Sequence, residues 1–175
     1  NYVMHEIGQP LHAYDLDKIK SGKIEIKTLN IEKSFITLDG VEIKVGKDDL
    51  MVCDGDVPMC IAGVYGGQDH SVNNETKTIF LESAFFNPVS VRKTSKKHNI
   101  NTDSSYRFER GVDYKLADFA LSRIHYLLSQ ATDIDKCKII KISQKHQLTK
   151  TKSFDFDTKL FKRILGIDIG IKKIK

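Results

Sequence analysis

Apolar and polar positions alternate with a period of two through much of the first half of the chain, the period that successive side chains of a strand follow. Ile24, Ile26 and Thr28 alternate with Lys23, Glu25 and Lys27, which predicts a half-buried strand. Asp39-Gly40 lies between two alternating runs in FITLDGVEIKV and predicts a hairpin. LMVCD from Leu50, PMCIAGV from Pro58 and TIFLESA from Thr78 supply three more strands. The segments joining them are too short for helical crossovers, so the pairing is expected to be antiparallel. A helical period takes over later. Asn87-Pro88 is a capping side chain followed by proline at the first helical position, and it predicts a helix running to about His98. Leu116, Ala120, Ile124, Leu127 and Ala131 keep helical spacing after a capping Asp113, giving a helix expected to pack on the sheet. KIIKIS from Lys138 is a last strand, and a short helix is expected from about Thr158 with Gly166 at its end.

Two stretches carry no clean period. In NYVMHEIGQPLHAYDLDKI, Gly8 and Pro10 argue for an irregular segment that leaves His12 and Asp15 on a short loop and the start of the next element. TDSSYRFERGVD mixes hydroxyls, arginines and aromatics and reads as a loop tied down by side-chain hydrogen bonds. The class is α+β: mostly antiparallel β-sheet layers packed with a few α-helices.

A chain of 175 residues is long enough for one core, or for one domain and part of a second. The polar, threonine-rich HQLTKTKSFDFD from His146 reads as a boundary. Residues 1–145 are therefore expected to form the main domain, with an edge missing before Asn1, and 146–175 a linker and the start of another. No apolar run reaches the roughly 18 residues of a membrane span, and no signal pattern opens the chain, so a soluble, cytoplasmic protein without membrane partners is expected. Cys53, Cys60 and Cys137 are too few and too scattered for a zinc ribbon or a disulfide framework and read as buried thiols. The histidines show no paired ligand spacing, so no metal site is expected.

The formal charge of +5 suggests a polyanion partner until its position is considered. Residues 1–145 hold 20 Lys or Arg against 20 Asp or Glu, and 146–175 hold 8 against 3. The body is neutral. Any polyanion binding by it must come from a local patch such as Arg92, Lys93, Lys96 and Lys97, and is expected to be weak.

Candidate chemistry centres on Glu82. It shares a strand face with Phe80 and Ala84, and a carboxylate among apolar neighbours must find donors or rise in pKa, a condition met at ligand sites. The bland alternative pairs it with Arg107 or Arg110. AGVYGGQDHSV carries Gly63, Gly66 and Gly67, which permit close backbone approach to a ligand or simply a tight turn; it is neither GxGxxG nor a Walker loop. His12 has the pKa for proton traffic near neutrality, or is a satisfied structural histidine.

IGQPLHAYDLDKI, LDGVE, AGVYGGQDHSV, FLESAFFNPVSVRKTSKKH and TDSSYRFERGVD, in this order and spacing, resemble the central domain of bacterial phenylalanine-tRNA ligase beta subunits, the domain that carries tRNA editing. The resemblance covers residues 1 to about 145. It implies the fold of that editing domain and a hydrolytic site that removes tyrosine wrongly attached to phenylalanine tRNA. The family's positions fall on Asn1, His12, Ala62, Gly63, Gly66, Glu82 and Thr102 in this sequence. His12, Thr102 and Asn1 are then the catalytic candidates, holding the ester and a water at its carbonyl; Glu82 reads the tyrosine hydroxyl, and Gly63, Gly66 and Ala62 admit the ring. The family commonly has alanine where this chain has Ser104, and a serine there narrows the pocket or adds a hydrogen bond.

The resemblance also implies an alpha-subunit partner in an alpha2-beta2 heterotetramer, phenylalanine tRNA as ligand, no cofactor in this domain, and ATP and magnesium for the whole ligase. The adenylate-forming motifs belong to the alpha subunit, so this piece is at most an aminoacyl-ester hydrolase. Two rivals stand beside editing: a noncatalytic tRNA-positioning module, and a metal hydrolase using His12, Asp15 and Asp17, whose ligand spacing follows no known pattern.

Overall fold

The computed structural model describes residues 1–131, 153, 155–168 and 173. The Lys138–Ser143 strand of the sequence reading lies outside them. Contacts divide the chain into two compact units, Asn1–Cys137 and Lys138–Lys175.

The first unit is built on antiparallel pairing throughout its described strands. Strands β2 (Ile24–Thr28), β5 (Leu50–Asp54), β6 (Val57–Ile61) and β7 (Tyr65–Gly66) form a four-stranded sheet in the order β2-β5-β6-β7. Strands β3 (Lys33–Ile36) and β4 (Glu42–Val45) form the hairpin expected around Asp39-Gly40, with Gly40 at φ 82°. β1 (Leu11–Asp15) pairs with β8 (Ile79–Ser83) as a separate two-stranded ribbon, bringing together segments 68 residues apart. The core runs through β5 and β6, where Met51, Val52, Cys53, Met59, Cys60 and Ile61 are all buried, and is sealed by Phe35, Phe86, Val91 and Phe108. Cys53 and Cys60 are free, buried thiols.

Helices close the unit. α1 (Tyr2–Ile7) stops at Gly8, which takes φ 80°, a left-handed value that favours glycine. The first stretch is thus a helix and then a strand; His12 lies within β1 and not on a loop. Gly8 and Pro10 do interrupt the helix as expected, but the residues before them are helical because Val3 and Met4 are buried. α2 (Pro88–His98) starts on Asn87, whose side chain accepts from the amides of Val89 and Ser90, and ends at Asn99 with φ 53°. α4 (Leu116–Ala131) packs against β8 and α1, with Ala120 fully buried and Ser83 Oγ donating to the Ala117 carbonyl at 2.9 Å.

The expected loop at TDSSYRFERGVD contains α3 (Asp103–Phe108). Thr102 accepts from the Ser105 amide while the Ser105 hydroxyl bonds back to the Thr102 amide, a reciprocal cap with serine in the place usually held by Glu or Gln. Six residues are too few to hold a helix by propensity. Phe108 anchors it in the core, 5.2 Å from the Phe86 ring.

The C-terminal end of α2 is tied to the turn before β5. Asp49, with no exposed surface, takes Lys97 Nζ at 2.8 Å and the Gly46 amide at 3.0 Å on one oxygen, and sits 3.1 Å from His98 Nε2 with the other. Burial alone would raise its carboxyl, but these donors hold it below the usual value.

In the second unit, α5 (Thr158–Leu165) begins on Asp157, which caps the Lys159 amide at 2.8 Å, and ends at Gly166 with φ 74°, as the sequence predicts. No helix among the described residues is long and apolar enough to cross a membrane.

Candidate functional site

The pairing of β1 with β8 sets His12 directly opposite Glu82. His12 and Tyr14 are two apart on β1 and share a face, and from that face Tyr14 reaches diagonally to Glu82. Its phenol donates to Glu82 Oε2 at 2.6 Å. The rings of His12 and Tyr14 meet edge to face with centroids 4.5 Å apart. Arg107 and Arg110, the alternative partners for Glu82, are engaged with Asp103 and Glu109. The carboxylate is therefore neither in open solvent nor locked to an arginine. Its Oε1 makes no hydrogen bond to a described residue.

β7 closes over this group. A methyl built on Gly66 would meet His12 Cε1 at 2.6 Å, His12 Nε2 at 2.8 Å and Leu38 Cδ1 at 2.9 Å, so only a glycine lets the imidazole lie against the backbone there. Gly66→Ala is accordingly expected to displace the His12 imidazole with the core intact, read as a change in the chemical shifts of the His12 ring protons. Unchanged shifts in a variant whose far-ultraviolet circular dichroism matches wild type would show that the glycine is not needed to seat the ring.

Tyr14 and Cys60 are buried and His12 and Glu82 half-buried, and the titration of the four follows from that. Burial pushes Glu82 up to about 7 against the opposing pull of the Tyr14 phenol. Burial lowers His12, leaving a neutral imidazole at pH 7. Burial also drives the Tyr14 phenol well up, helped by the nearby Cys60 thiol and Glu82, and raises the Cys60 thiol, with Glu82 adding to it. A carboxyl near 7 beside a neutral imidazole is suited to moving a proton at physiological pH.

A raised folded-state value means that the folded protein holds this proton more tightly than the unfolded chain does. Stability from Glu82 is then fully present below about 4.5, the ordinary value, and is lost as pH rises through about 7. Relative to Glu82→Gln, the wild type should lose about 2 kcal/mol between pH 5 and pH 8 in chemical denaturation, at about 1.4 kcal/mol per pKa unit. A constant difference across that range would show that the carboxyl titrates normally.

The other sequence-predicted residues take different places. Thr102 Oγ1 donates to the Val64 carbonyl at 2.8 Å and Ser104 Oγ to the Gly63 carbonyl at 3.2 Å, so the start of α3 is fastened to the turn leading into β7. The Thr102 hydroxyl also caps the Ser105 amide at 2.9 Å and has no proton left to donate. Gly63, at φ 71°, faces the core: a methyl there would come within 3.0 Å of both Phe86 and Phe108. Ala62 is buried in the same core. Asn1 stands exposed at the head of α1, and its side chain makes no capping bond. Asp15 accepts from the Asp17 amide at 3.1 Å and the Thr76 hydroxyl at 2.8 Å, and among the described residues no three His, Cys, Asp or Glu side chains are grouped to hold a metal ion.

The structure thus gathers His12, Gly66 and Glu82 and attaches Thr102 and Ser104 to the same turn. It adds Tyr14, which the sequence reading passed over, and Cys60, which was read only as a buried thiol. The alternation of His12 and Tyr14 along one strand was the available signal for Tyr14; nothing local marks Cys60.

Residues 1–133 match the B3/4 domain family. The chain is 53% identical over 130 residues to the phenylalanine-tRNA ligase beta subunit of Porphyromonas gingivalis, covering 73% of this chain and 16% of that protein. It is 40% identical over 170 residues to the beta subunit of Coxiella burnetii, covering 97% and 21%, and 39% identical over 175 residues to that of Legionella pneumophila, covering 100% and 22%. The chain spans about a fifth of the length of these relatives. A family match over three-quarters of the chain, with relatives of one kind, leads to one conclusion: the chain belongs to the B3/4 domain family, in the form carried by phenylalanine-tRNA ligase beta subunits.

Proposed function

We propose that this domain hydrolyses the ester joining tyrosine to phenylalanine tRNA, within a ligase beta subunit that works with an alpha partner. Tyrosine differs from phenylalanine by one phenolic hydroxyl, which a pocket shaped for phenylalanine excludes imperfectly; a second, hydrolytic site can sort by that hydroxyl. Glu82 is the reader. The observation that carries this is the pose of its carboxylate: Oε2 already holds a phenol, that of Tyr14, while Oε1 has no described protein partner. A substrate phenol on Oε1 would repeat a contact this environment already accommodates. Phenylalanine would leave the oxygen unpaired, at a cost of about 1–3 kcal/mol.

His12, neutral and held against Gly66, is the group that positions water at the ester carbonyl. Asn1, exposed at the head of α1 with no side-chain capping bond, is assigned to the ester alongside it. Thr102 acts as a positioning residue: it holds Val64, and through it the β7 turn, with no free proton for the ester. Gly63 and Ala62 set the shape of that turn from the core side. Because the Ser104 hydroxyl is directed to the Gly63 carbonyl, it adds little polarity to the pocket. ATP and magnesium serve aminoacylation in the alpha subunit, and residues 146–175 open the following domain.

The noncatalytic alternative draws on one observation, that Thr102, Gly63 and Ala62 are all used by the fold itself. The two separate cleanly in a test. The assembled ligase is given tyrosyl- and phenylalanyl-tRNA for phenylalanine, and deacylation is followed for wild type and His12→Ala. Preferential loss of the tyrosyl ester, reduced at least tenfold by the substitution, is expected; equal, slow loss of both esters in both proteins supports the noncatalytic module.

A further inference from the structure

Beside α3 lies an open cleft of about 820 Å³. Arg92 and Lys96 line it from α2, one helical turn apart and about 6 Å along the axis. Both are exposed, and neither has a carboxylate partner among the described residues. Lys97, also on α2, differs in being paired with Asp49. The opposite wall is Tyr106, 55% exposed, with the Arg110 guanidinium stacked 3.5 Å from its ring centre. The acidic groups of the cleft have arginine neighbours, Glu109 in Arg110 and Asp103 in Arg107. Two unneutralised cations therefore face an aromatic–guanidinium platform.

Thr102 connects this cleft to the site at Glu82. It lines the cleft and donates to the Val64 carbonyl, two residues before the Gly66 backbone that holds His12.

We propose that this cleft binds the single-stranded end of an RNA as it enters, with successive phosphates on Arg92 and Lys96 and one unstacked base on the Tyr106–Arg110 platform. Paired cations at one-turn spacing suit a chain of phosphates, and stacking on Tyr and Arg is how proteins hold unpaired bases without reading sequence. A duplex presents no free base face to such a platform. The proposal rests on the editing reading only for what the strand carries, a tyrosyl ester, and it supplies the local patch that the neutral body requires.

The test uses the whole chain and a fluorescent 12-nucleotide single-stranded RNA, with anisotropy followed across salt. Arg92→Glu/Lys96→Glu is expected to weaken binding at least tenfold and flatten the salt slope, since about 0.7 counterions are released per phosphate contact on a single strand. Tyr106→Ala is expected to weaken it about fivefold with the slope kept. The control Lys44→Glu/Lys47→Glu makes the same charge change at exposed positions outside the cleft and should weaken binding less than twofold. Equal weakening by the control, or displacement of the RNA by hexaglutamate as readily as by unlabelled RNA, would overturn the proposal, because either shows charge alone being read. A second arm separates it from the editing reading. In the assembled ligase, Arg92→Glu/Lys96→Glu should slow deacylation of tyrosyl-tRNA but leave the tyrosyl ester of adenosine, which lacks the strand, unaffected. Glu82→Ala should slow both. Loss of the Glu82 effect with the strand effect retained would sink only the editing reading, and the reverse would sink only this one.

Discussion

Glu82→Ala in the assembled ligase is expected to lower kcat/KM for tyrosyl-tRNA deacylation about 10- to 100-fold, while phenylalanyl-tRNA, which offers the carboxylate nothing, changes little. The magnitude is that of one hydrogen bond to a charged group, about 1.5–3 kcal/mol. The wild-type rate should also rise with pH through about 7, the value to which burial pushes the Glu82 carboxyl, because the ionised form is the stronger acceptor for a phenol. Glu82→Gln keeps the shape and one acceptor oxygen, so it should retain part of the tyrosine preference and lose the pH step. Persistence of that step in the glutamine variant would assign it to another group. His12 is not a ready substitute: its lowered value puts its transition below 6.5.

Asp49→Ala is expected to destabilise the first unit by about 2–4 kcal/mol while leaving the site's own residues alone. Asp49 is fully buried and joins the Gly46 amide, Lys97 and His98; without it the amide and His98, itself nearly buried, lose their acceptor. Lys97, 40% exposed, can turn to water, so Lys97→Ala should cost under about 1 kcal/mol. The depressed carboxyl contributes stability that is present above its ordinary value of 3.8 and lost only as pH falls through its lower folded value, so the effect should be flat near neutrality. Urea midpoints for the two variants provide the check; if they coincide, the buried carboxylate does not hold α2 to the turn before β5.

Both predictions depend on contacts of long reach, and the sequence was uneven in disclosing them. The hairpin at Asp39-Gly40, the start of α2 on Asn87-Pro88 and the end of α5 at Gly166 were legible because each is decided within four or five residues by a cap or a positive φ. Glu82 was legible as an oddity, an acid on an apolar strand face, but not its partner. The helix at Asp103–Phe108 was missed because its cap uses serine where Glu or Gln is usual and its anchor, Phe108, acts through the core. His12 was placed on a loop because Gly8 and Pro10 are the strongest local features nearby, yet a strand forms there once β8 supplies its ladder.

By itself, then, the sequence determined the class of fold, the locally capped elements and the unusual acid, since alternation, caps and turn residues act over a few bonds. Tertiary structure alone decided that His12 faces Glu82, that the phenol on that acid comes from Tyr14, and that Gly66 rather than Gly63 lies against the imidazole. The reason is register. Period-two patterning fixes which face a side chain takes, but which residue of another strand stands opposite is set only when the β1–β8 ladder closes across the intervening chain.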